Sequence, residues 1–222
     1  MTMLEQERTR AAWDDIAAGY DEFVTPTHMW LANEALSRAG LGPGMRFLDV
    51  APGSGALSIP AARRGARVLA ADLSPNMIER LEVRARREGL SDLEGRVMDG
   101  HALELEDSTF DISGSQFGVM LFPDLPRALG EMVRVTKPGG CVFMVAYGSP
   151  AEVEFLAFFL GAMKTAVPGF AGLPTDPRPY PSRWRTPGGC AGTWPKPDWK
   201  TPGWKPSPRR WSSSPGNTCG TG

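Results

Sequence analysis

Three acidic residues of this sequence each follow a short apolar segment, at spacings that suit a nucleoside ligand. Asp49 begins the glycine-bearing turn of residues 49–55 (DVAPGSG), Asp72 follows Gly53 by 19 residues, and Asp99 precedes a glycine. A carboxylate at Asp72 can accept both hydroxyl protons of a ribose, and one at Asp99 can accept from an exocyclic amine. Each feature also fits a turn without a ligand, such as an Asx turn at Asp72 or an Asp-Gly turn at Asp99.

The glycine-bearing turn fits a nicotinamide dinucleotide poorly. That fingerprint requires G-x-G-x-x-G, whereas the best alignments here give Ala51-Gly53-Ala56 or Gly53-Gly55-Ser58. A nicotinamide-dependent oxidoreductase therefore stays an alternative that the sequence does not favour.

Apolar strands alternate with helices along the chain. The sequence predicts strands at residues 45–50, 67–71, 93–98, 110–115 and 141–147, and helices at residues 2–23, 28–39, 56–64, 75–88 and 123–135. Continuous apolar strands separated by helices predict an α/β fold, in which a doubly wound, mostly parallel, Rossmann-like sheet carries helices on both faces. Ligands of such sheets bind beyond the carboxyl ends of the strands. The residues expected to meet there are 49–55, Asp72, 99–101 and 115–116.

The composition favours an ordinary globular domain. The chain has 222 residues, of which 41% are hydrophobic and 22% charged, and its formal net charge is −1. Without a basic field, no nucleic-acid partner is expected. The longest uncharged apolar run, residues 155–163, is about half a membrane span, so no membrane partner is expected either. No signal peptide is visible, which predicts a cytoplasmic protein, and the spacing of the three cysteines predicts no metal site.

Several short segments together resemble the class I S-adenosylmethionine-dependent methyltransferases, in particular the small-molecule enzymes of the ubiquinone/menaquinone-biosynthesis type. The segments are WDDIAAGYD at residues 13–21, the turn at 49–55, ADLSPNM at 71–77, MDG at 98–100, FD at 110–111 and RVTKPGG at 134–140. The resemblance implies an N-terminal helical lid at residues 1–40 and a cofactor-binding domain at residues 41–173. Residues 174–222 form a separate tail.

The resemblance implies that the turn binds the methionine part of S-adenosylmethionine. The backbone of Ala51, Gly53 and Gly55 would lie along this part, and Asp49 would orient the loop. Relatives usually carry D-x-G-x-G-x-G here, so Ala51 replaces the first glycine. Alanine disfavours a positive φ, which makes this position a departure from the pattern.

The same resemblance assigns the nucleoside part to the next two strand ends. Asp72 would hold the ribose hydroxyls with Leu73 against the adenine, and Asp99 would accept from the adenine amine. The residues implied around the base are Met98, Gly100 and His101.

Three further residues are implied near the reacting end of the cofactor. Ser115 and Gln116 would lie near the sulfonium and the methionine amine, and Tyr20 would close over the cofactor. The sulfonium is itself the electrophile, so the chemistry asks little of side chains and no catalytic residue is named. The two histidines, His28 and His101, are predicted to be structural or to form a cofactor wall.

The methyl acceptor is expected to be a small molecule, but the accepting atom and the oligomeric state are not predicted. Residues 117–122 (FGVMLF) and 155–163 (FLAFFLGAM) are apolar enough to line an acceptor pocket, although core packing is the simpler explanation. Arg84, Arg86 and Arg87 are predicted to form the solvated face of a helix. A non-catalytic cofactor-binding relative is the other alternative.

Residues 174–222 differ from the rest of the chain. They contain no Leu, Ile, Val, Phe or Met, but five of the seven Trp, and carry a net charge of +6 against −7 for residues 1–173. Such a segment cannot build a core. It is therefore a disordered basic tail or, as we favour, the product of a reading-frame shift near Pro177, because TGG (Trp) read one base earlier gives Leu, Val or Met. The shift would remove two C-terminal strands, expose residues 141–147 as a sheet edge and impair activity.

Overall fold

Five parallel strands form a sheet in the order β3-β2-β1-β4-β5. The computed structural model describes residues 3–147 and Thr165. Along the chain lie α1 (Met3–Gly19), a π-helical turn (Tyr20–Val24), α2 (Thr25–Ala39), β1 (Arg46–Val50), α3 (Ser58–Arg63), β2 (Arg67–Asp72), α4 (Pro75–Arg87), β3 (Leu93–Val97), β4 (Phe110–Gln116), a 3-10 turn (Val119–Leu121), α5 (Leu125–Val135) and β5 (Thr136–Val145).

The strand order reverses its direction between β1 and β4. Phe47 of β1 pairs with Val68 of β2 on one side and with Ile112 of β4 on the other. Since parallel crossovers are right-handed, α3 and α4 cover one face of the sheet and α5 covers the other. The predicted doubly wound parallel sheet is therefore confirmed, and its switch point lies between β1 and β4.

Local capping explains where several helices begin and end. Ser74 Oγ accepts the backbone N–H of Met77 at 3.1 Å, and Pro75 follows it at the first turn of α4. Asp124 caps α5 in the same way, through Arg127 N–H at 3.1 Å. The C-terminal end of α2 is capped by Gly40, which adopts φ +74°. Its backbone N–H donates to the carbonyl oxygens of Leu36 and Ser37.

Two segments differ from the sequence prediction. Residues 3–39 are helical throughout: a π-helical turn joins α1 to α2, and the break predicted at residues 24–27 is absent. Residues 137–140, predicted as a turn before the last strand, interrupt the pairing of β5 with β4: Thr136 pairs with Phe110 and Cys141 with Ile112. A Cβ at Gly140 would lie 2.6 Å from Asp111 O, so this irregularity requires glycine.

The core fills the space between the sheet and the helices before β2. Phe47, Leu36 and Leu57 are fully buried, and the ring of Phe47 stacks on that of Phe143 with centroids 6.2 Å apart. Residues 141–145 of β5 are only half-buried, since β5 forms one edge of the sheet within the described residues.

Two sequence expectations, the apolar run 155–163 and the tail 174–222, lie outside the described residues. Among residues 3–147 and Thr165, no helix combines the length and apolarity needed to cross a bilayer. The same residues contain no group of three potential metal ligands.

Candidate functional site

A cavity of about 450 Å³ opens at the carboxyl ends of the first four strands. Eleven of the thirteen residues predicted to bind a cofactor line it: Tyr20, Asp49, Ala51, Gly53, Asp72, Leu73, Met98, Asp99, Gly100, His101 and Gln116. The fold therefore brings most of these residues to one place, and their binding role stays a prediction.

The other two, Gly55 and Ser115, stand behind the cavity wall. Gly55 has φ +101°, and a Cβ there would lie 3.0 Å from Ile59 Cγ1 and 3.3 Å from Leu81 Cγ. This glycine thus lets α3 and α4 pack against the turn. Ser115 is fully buried, and its Oγ accepts the backbone N–H of Val119 at 3.1 Å.

The glycine-bearing turn holds three residues at positive φ, namely Ala51, Gly53 and the Gly55 described above. Gly53 has φ +55° and Ala51 has φ +54°, so Ala51 adopts the conformation that alanine disfavours. Gly118 makes room for it, because a Cβ on Gly118 would lie 2.5 Å from the Ala51 Cβ. Hydrogen bonds hold the turn in place: Ala51 N–H donates to Ala71 O at 2.8 Å, and Gly53 N–H donates to Asp72 Oδ2 at 3.0 Å.

Asp49 is completely buried at the end of β1. Its Oδ2 accepts from Ser58 Oγ at 2.5 Å, and its Oδ1 has no partner among the described residues. Burial raises the pKa of Asp49 to about 8, an effect that the Ser58 hydrogen bond opposes and the nearby Asp72 carboxylate reinforces. A donor or a positive charge placed at Oδ1 would favour the ionised form.

Asp72 forms the Asx turn that the sequence allowed as an alternative. Its Oδ1 accepts Ser74 N–H at 2.9 Å while its Oδ2 accepts from Gly53. Burial raises the pKa of Asp72, and these backbone hydrogen bonds oppose the rise. Each carboxylate oxygen can accept a second hydrogen bond, so the turn and a ligand role are compatible.

Asp99 holds the imidazole of His101. Its Oδ1 accepts both the backbone N–H of His101 at 2.9 Å and Nδ1 of the ring at 2.8 Å. Its Oδ2 accepts from Gln6 Nε2 of α1 at 3.1 Å. The His101 ring stacks on Phe122 with centroids 4.6 Å apart, and its Nε2 is buried without a partner among the described residues.

Gln116 connects the end of β4 to α2. Its Nε2 donates to His28 O at 2.9 Å, whereas its Oε1 is buried without a described partner. The next residue, Phe117, has φ +61° and its ring lies 4.9 Å from that of His28. Burial lowers the pKa of His28, which favours the neutral imidazole, and His28 itself does not line the cavity.

The N-terminal helices are fastened across the strand ends. Asp14 Oδ1 accepts from Ser74 Oγ at 2.5 Å and from Asn76 N–H at 3.2 Å. Thr25 Oγ1 and Ser54 Oγ, both fully buried, are 2.6 Å apart. These contacts hold α1 and α2 over the cavity, with Tyr20 placed against the glycine-bearing turn.

Arg84 corrects one expectation. The sequence predicts Arg84, Arg86 and Arg87 on a solvated helix face, but Arg84 is about three-quarters buried and forms an ion pair with Asp21. Its Nη2 also donates to Asp21 O at 3.0 Å. The prediction misses this contact because Asp21 is 63 residues away and sits in the π-helical turn. Arg86 does face solvent and pairs with Glu82 at 3.4 Å.

Several lining residues were not among the predicted site residues. Trp13 is one of them, and its ring meets that of Tyr20 edge-on with centroids 6.0 Å apart. The segment WDDIAAGYD contained this signal, since seven residues bring Trp13 and Tyr20 to the same side of a helix. The further lining residues are Glu5, Thr9, Pro52, Ala56, Leu57, Ala71, Met77, Phe117, Gly118, Leu121, Phe122 and Pro123.

Three residues that line the cavity each have one buried side-chain atom without a hydrogen-bond partner among the described residues: Asp49 Oδ1, His101 Nε2 and Gln116 Oε1. The fourth such atom in the described part of the chain is Nε of Arg84, which does not line the cavity. Buried polar atoms are nearly always satisfied, so a cluster of unsatisfied ones marks a place for a ligand. Oxygen and imidazole acceptors suit a ligand that carries amino groups, as S-adenosylmethionine does.

Known proteins are similar to this chain in both sequence and fold. The family model described as "Methyltransferase domain" matches residues 48–144. A demethylmenaquinone methyltransferase of Renibacterium salmoninarum is 33% identical over 170 residues, which cover 74% of this chain and 69% of that protein. The chain belongs to the class I S-adenosylmethionine-dependent methyltransferases. The family thus agrees with the resemblance and does not favour the nicotinamide alternative.

Two further comparisons concern the length of the chain relative to a similar protein and its similarity to a solved structure. An uncharacterized protein of Mycobacterium tuberculosis is 38% identical over 146 residues, which cover 66% of this chain and 52% of that protein. The chain therefore spans about half the length of that relative. The structure of a SAM-dependent methyltransferase from Aquifex aeolicus superposes with a TM-score of 0.51 at 23% identity, covering 56% of this chain and 68% of that one, and supports the fold.

Proposed function

We propose that this chain binds S-adenosylmethionine in the cavity at the strand ends and transfers its methyl group to a small-molecule acceptor. The observation that supports this most is one cavity lined by eleven predicted residues, three of which each leave a buried polar atom without a partner among the described residues. Family membership supports the reaction type.

The nucleoside end of the site would lie at β2 and β3. Asp72 would accept from the ribose hydroxyls while keeping its hydrogen bonds to the turn. The proposed wall around the adenine consists of Leu73, Met98, Gly100 and His101, and Asp99 would accept from the adenine amine.

The methionine end would lie at β1 and β4. The backbone of Ala51 and Gly53 would run along the methionine chain, with Asp49 behind it and Gln116 Oε1 accepting from the amino group. Gly55 and Ser115 would support this end from behind, through the contacts described above. Tyr20 would cover the turn, because a Cβ on Gly53 would lie 3.3 Å from Tyr20 Cε1.

The chain's own contribution to methyl transfer is alignment and exclusion of water. When bound, the cofactor supplies a methyl group on a positively charged sulfur, which is a strong electrophile. An ionised Asp49 would favour positive charge nearby, and α1 and the π-helical turn line the cavity through Trp13 and Tyr20. A base is needed only where the acceptor loses a proton, and we assign none.

The acceptor is proposed to be small and largely apolar. Phe117, Leu121, Phe122 and Pro123 form one apolar side of the cavity beyond β4, as the apolar run 117–122 suggested. The name of the R. salmoninarum relative points to a quinone-related substrate for that protein. Aromatic quinols are therefore the first acceptors to test here.

Calorimetric titration tests the binding half of this proposal. We expect S-adenosylhomocysteine to bind the purified chain in the micromolar range, about −8 kcal/mol, and NAD to show no binding. Transfer of labelled methyl from S-adenosylmethionine to a panel of quinols and phenols then tests the reaction. Binding of NAD in place of S-adenosylhomocysteine would overturn the assignment.

The lid at residues 1–40 and the altered tail after Pro177 also belong to this proposal. Contacts of α1 and of the start of α2 with the strand ends support the lid. The lack of Leu, Ile, Val, Phe and Met in residues 174–222 supports the frame shift, which would remove two C-terminal strands and impair activity. The DNA around codon 177 tests the frame shift: codons that do not yield an apolar, amphipathic sequence one base earlier would rule it out.

A further inference from the structure

We infer that Arg84 of α4 is a positioning residue of the site, which holds the π-helical turn of residues 20–24 so that Tyr20 lies against the glycine-bearing turn. This inference rests on the proposed function and deepens it, because it concerns how the lid at residues 1–40 is held at the ligand. Arg84 itself does not line the cavity, whereas Tyr20 does. Arg84 would therefore affect ligand binding through Tyr20.

The π-helical turn leaves one backbone carbonyl without a helical donor. In a π-helix each N–H donates to the carbonyl oxygen five residues earlier, and Thr25 N–H donates to Tyr20 O. The next donor in this register would be residue 26, which is a proline and has no N–H. The carbonyl oxygen of Asp21 therefore needs a donor from outside the helix.

Arg84 supplies that donor. Its Nη2 donates to Asp21 O at 3.0 Å and also to the Asp21 carboxylate, while its Nε is buried without a partner among the described residues. The two side chains are 24% and 22% exposed, so solvent screens this ion pair less than it screens a surface pair. Removing the guanidinium would take a donor from both the carbonyl and the carboxylate, and the π-helical turn would rearrange to recover one.

The same side of α4 also packs against the glycine-bearing turn. Met77, Leu81 and Arg84 are spaced by four and three residues, which places them on one side of the helix. A Cβ on Gly53 would lie 4.0 Å from Met77 Sδ and 3.3 Å from Tyr20 Cε1. One helix therefore contacts both the glycine-bearing turn and the π-helical turn that carries Tyr20.

Two other anchors of the lid lie on either side of the π-helical turn. Asp14 accepts from Ser74 Oγ at 2.5 Å, and Thr25 Oγ1 is 2.6 Å from Ser54 Oγ. Tyr20 lies six residues after the first anchor and five residues before the second. Arg84 acts between them, at the residue that follows Tyr20.

Titration calorimetry with S-adenosylhomocysteine tests the inference, at matched fractions of folded protein. Arg84→Met keeps an unbranched side chain but removes the donors, and we expect it to weaken binding by about tenfold. Arg84→Lys, which keeps a charged donor, should recover part of this loss. Arg86→Met is the matched control on the exposed face of the same helix, and should change the dissociation constant by less than about twofold.

A double-mutant cycle with Tyr20→Ala distinguishes positioning from a general effect on folding. Since Arg84 would act through Tyr20, Arg84→Met should weaken binding by less than about twofold in the Tyr20→Ala background. An equal loss of affinity in both backgrounds, or no loss in the native background, would overturn the inference.

Pro26→Ala provides a second test, because it adds the N–H that the π-helical register lacks. Combined with Arg84→Met, it should restore binding by at least about threefold relative to Arg84→Met alone. No restoration would show that Arg84 does not act through the Asp21 carbonyl. Where Arg84→Met alone does not fold, Arg84→Lys takes its place in both tests. Failure of the native chain to bind S-adenosylhomocysteine would instead overturn the proposed function.

Discussion

The two ends of the central sheet both carry a cavity, and they differ in how their polar groups are satisfied. The cavity at the amino ends of the strands is the larger, about 670 Å³ against about 450 Å³. Its charged groups are exposed to solvent: Arg96 pairs with Glu94 at 2.7 Å, and the Arg46 guanidinium lies 5.4 Å from the centre of the Phe110 ring. Among the described residues, none that lines it has a buried side-chain atom without a partner.

The carboxyl ends of the strands show the opposite arrangement. Asp49, His101 and Gln116 are buried there, and each leaves one acceptor unsatisfied. Leaving such groups unpaired costs stability, about 1–3 kcal/mol each, and a ligand that supplies donors recovers that cost. Buried polar atoms without hydrogen-bond partners therefore identify the ligand site better than the volume of a cavity does.

The largest effect is expected on ligand affinity, when one aspartate at each end of the sheet is replaced by asparagine. Asp72 and Asp111 each accept a backbone N–H, from Gly53 at 3.0 Å and from Arg46 at 2.8 Å, at opposite ends of the sheet. We expect Asp72→Asn to weaken S-adenosylhomocysteine binding by about 100-fold, since the turn and the ribose both lose an acceptor. Asp111→Asn should lower the free energy of unfolding and leave the dissociation constant within about twofold. Titration calorimetry, at matched fractions of folded protein, measures the dissociation constant of each variant. Equal losses of affinity in the two variants would contradict the difference between the two ends of the sheet.

The next effect concerns the pH dependence of the empty protein. With the pKa of Asp49 raised from 3.8 to about 8 by burial, the native state binds a proton that the unfolded chain has released across this range. The free energy of unfolding contributed by Asp49 is therefore fully present below about pH 4 and falls as the pH rises towards 8. Asp49→Asn, which stays neutral, should flatten this slope in melting curves recorded from pH 4.5 to 8.

A ligand adds a control to the same experiment. An amino group at Asp49 Oδ1 favours the carboxylate, so binding of S-adenosylhomocysteine at pH 7 should release protons. Titration in two buffers with different ionisation enthalpies measures that release, which Asp49→Asn should reduce. A slope and a proton release that are identical in the two proteins would show that Asp49 is already ionised.

The comparison also explains what the sequence could predict. Asp49, Asp72 and Asp99 could be predicted to lie together because each lies at or next to the carboxyl end of a strand, and parallel strands bring these ends to one edge. Local patterns were enough here because backbone geometry, rather than side-chain packing, determines where these residues lie.

The missed features all depend on contacts between distant segments. Arg84 with Asp21, Gln6 with Asp99, and the room that Gly118 leaves for Ala51 join residues more than 60 positions apart. Periodicity reports which face of a helix is polar, and not which distant residue meets it. The break predicted between the helices at residues 24–27 is wrong for a related reason, since the sequence pattern does not distinguish a π-helical turn from a break.

A smaller effect is expected on the free energy of unfolding, from backbone strain at the carboxyl ends of the strands. Ala51→Gly removes the penalty of a left-handed alanine, about 1–2 kcal/mol, and increases the entropy of the unfolded chain, which costs about 0.4–1 kcal/mol. We expect a net stabilisation of about 0.5 kcal/mol, measured by denaturant unfolding. Ala102→Gly, in an exposed turn without positive φ, is the matched control and should destabilise the protein. Destabilisation by both substitutions would mean that Ala51 is not strained.

The smallest effect is expected at the amino ends of the strands. Glu94 and Arg96 are 60% and 47% exposed, so solvent screens their ion pair even though it closes to 2.7 Å. Glu94→Gln should change the free energy of unfolding by less than about 0.5 kcal/mol and should leave S-adenosylhomocysteine binding unchanged, in 50 mM as in about 0.5 M salt. A loss of affinity for S-adenosylhomocysteine in this variant would mean that residues of the larger cavity affect ligand binding. The contrast between satisfied and unsatisfied polar groups would then no longer distinguish the two ends of the sheet.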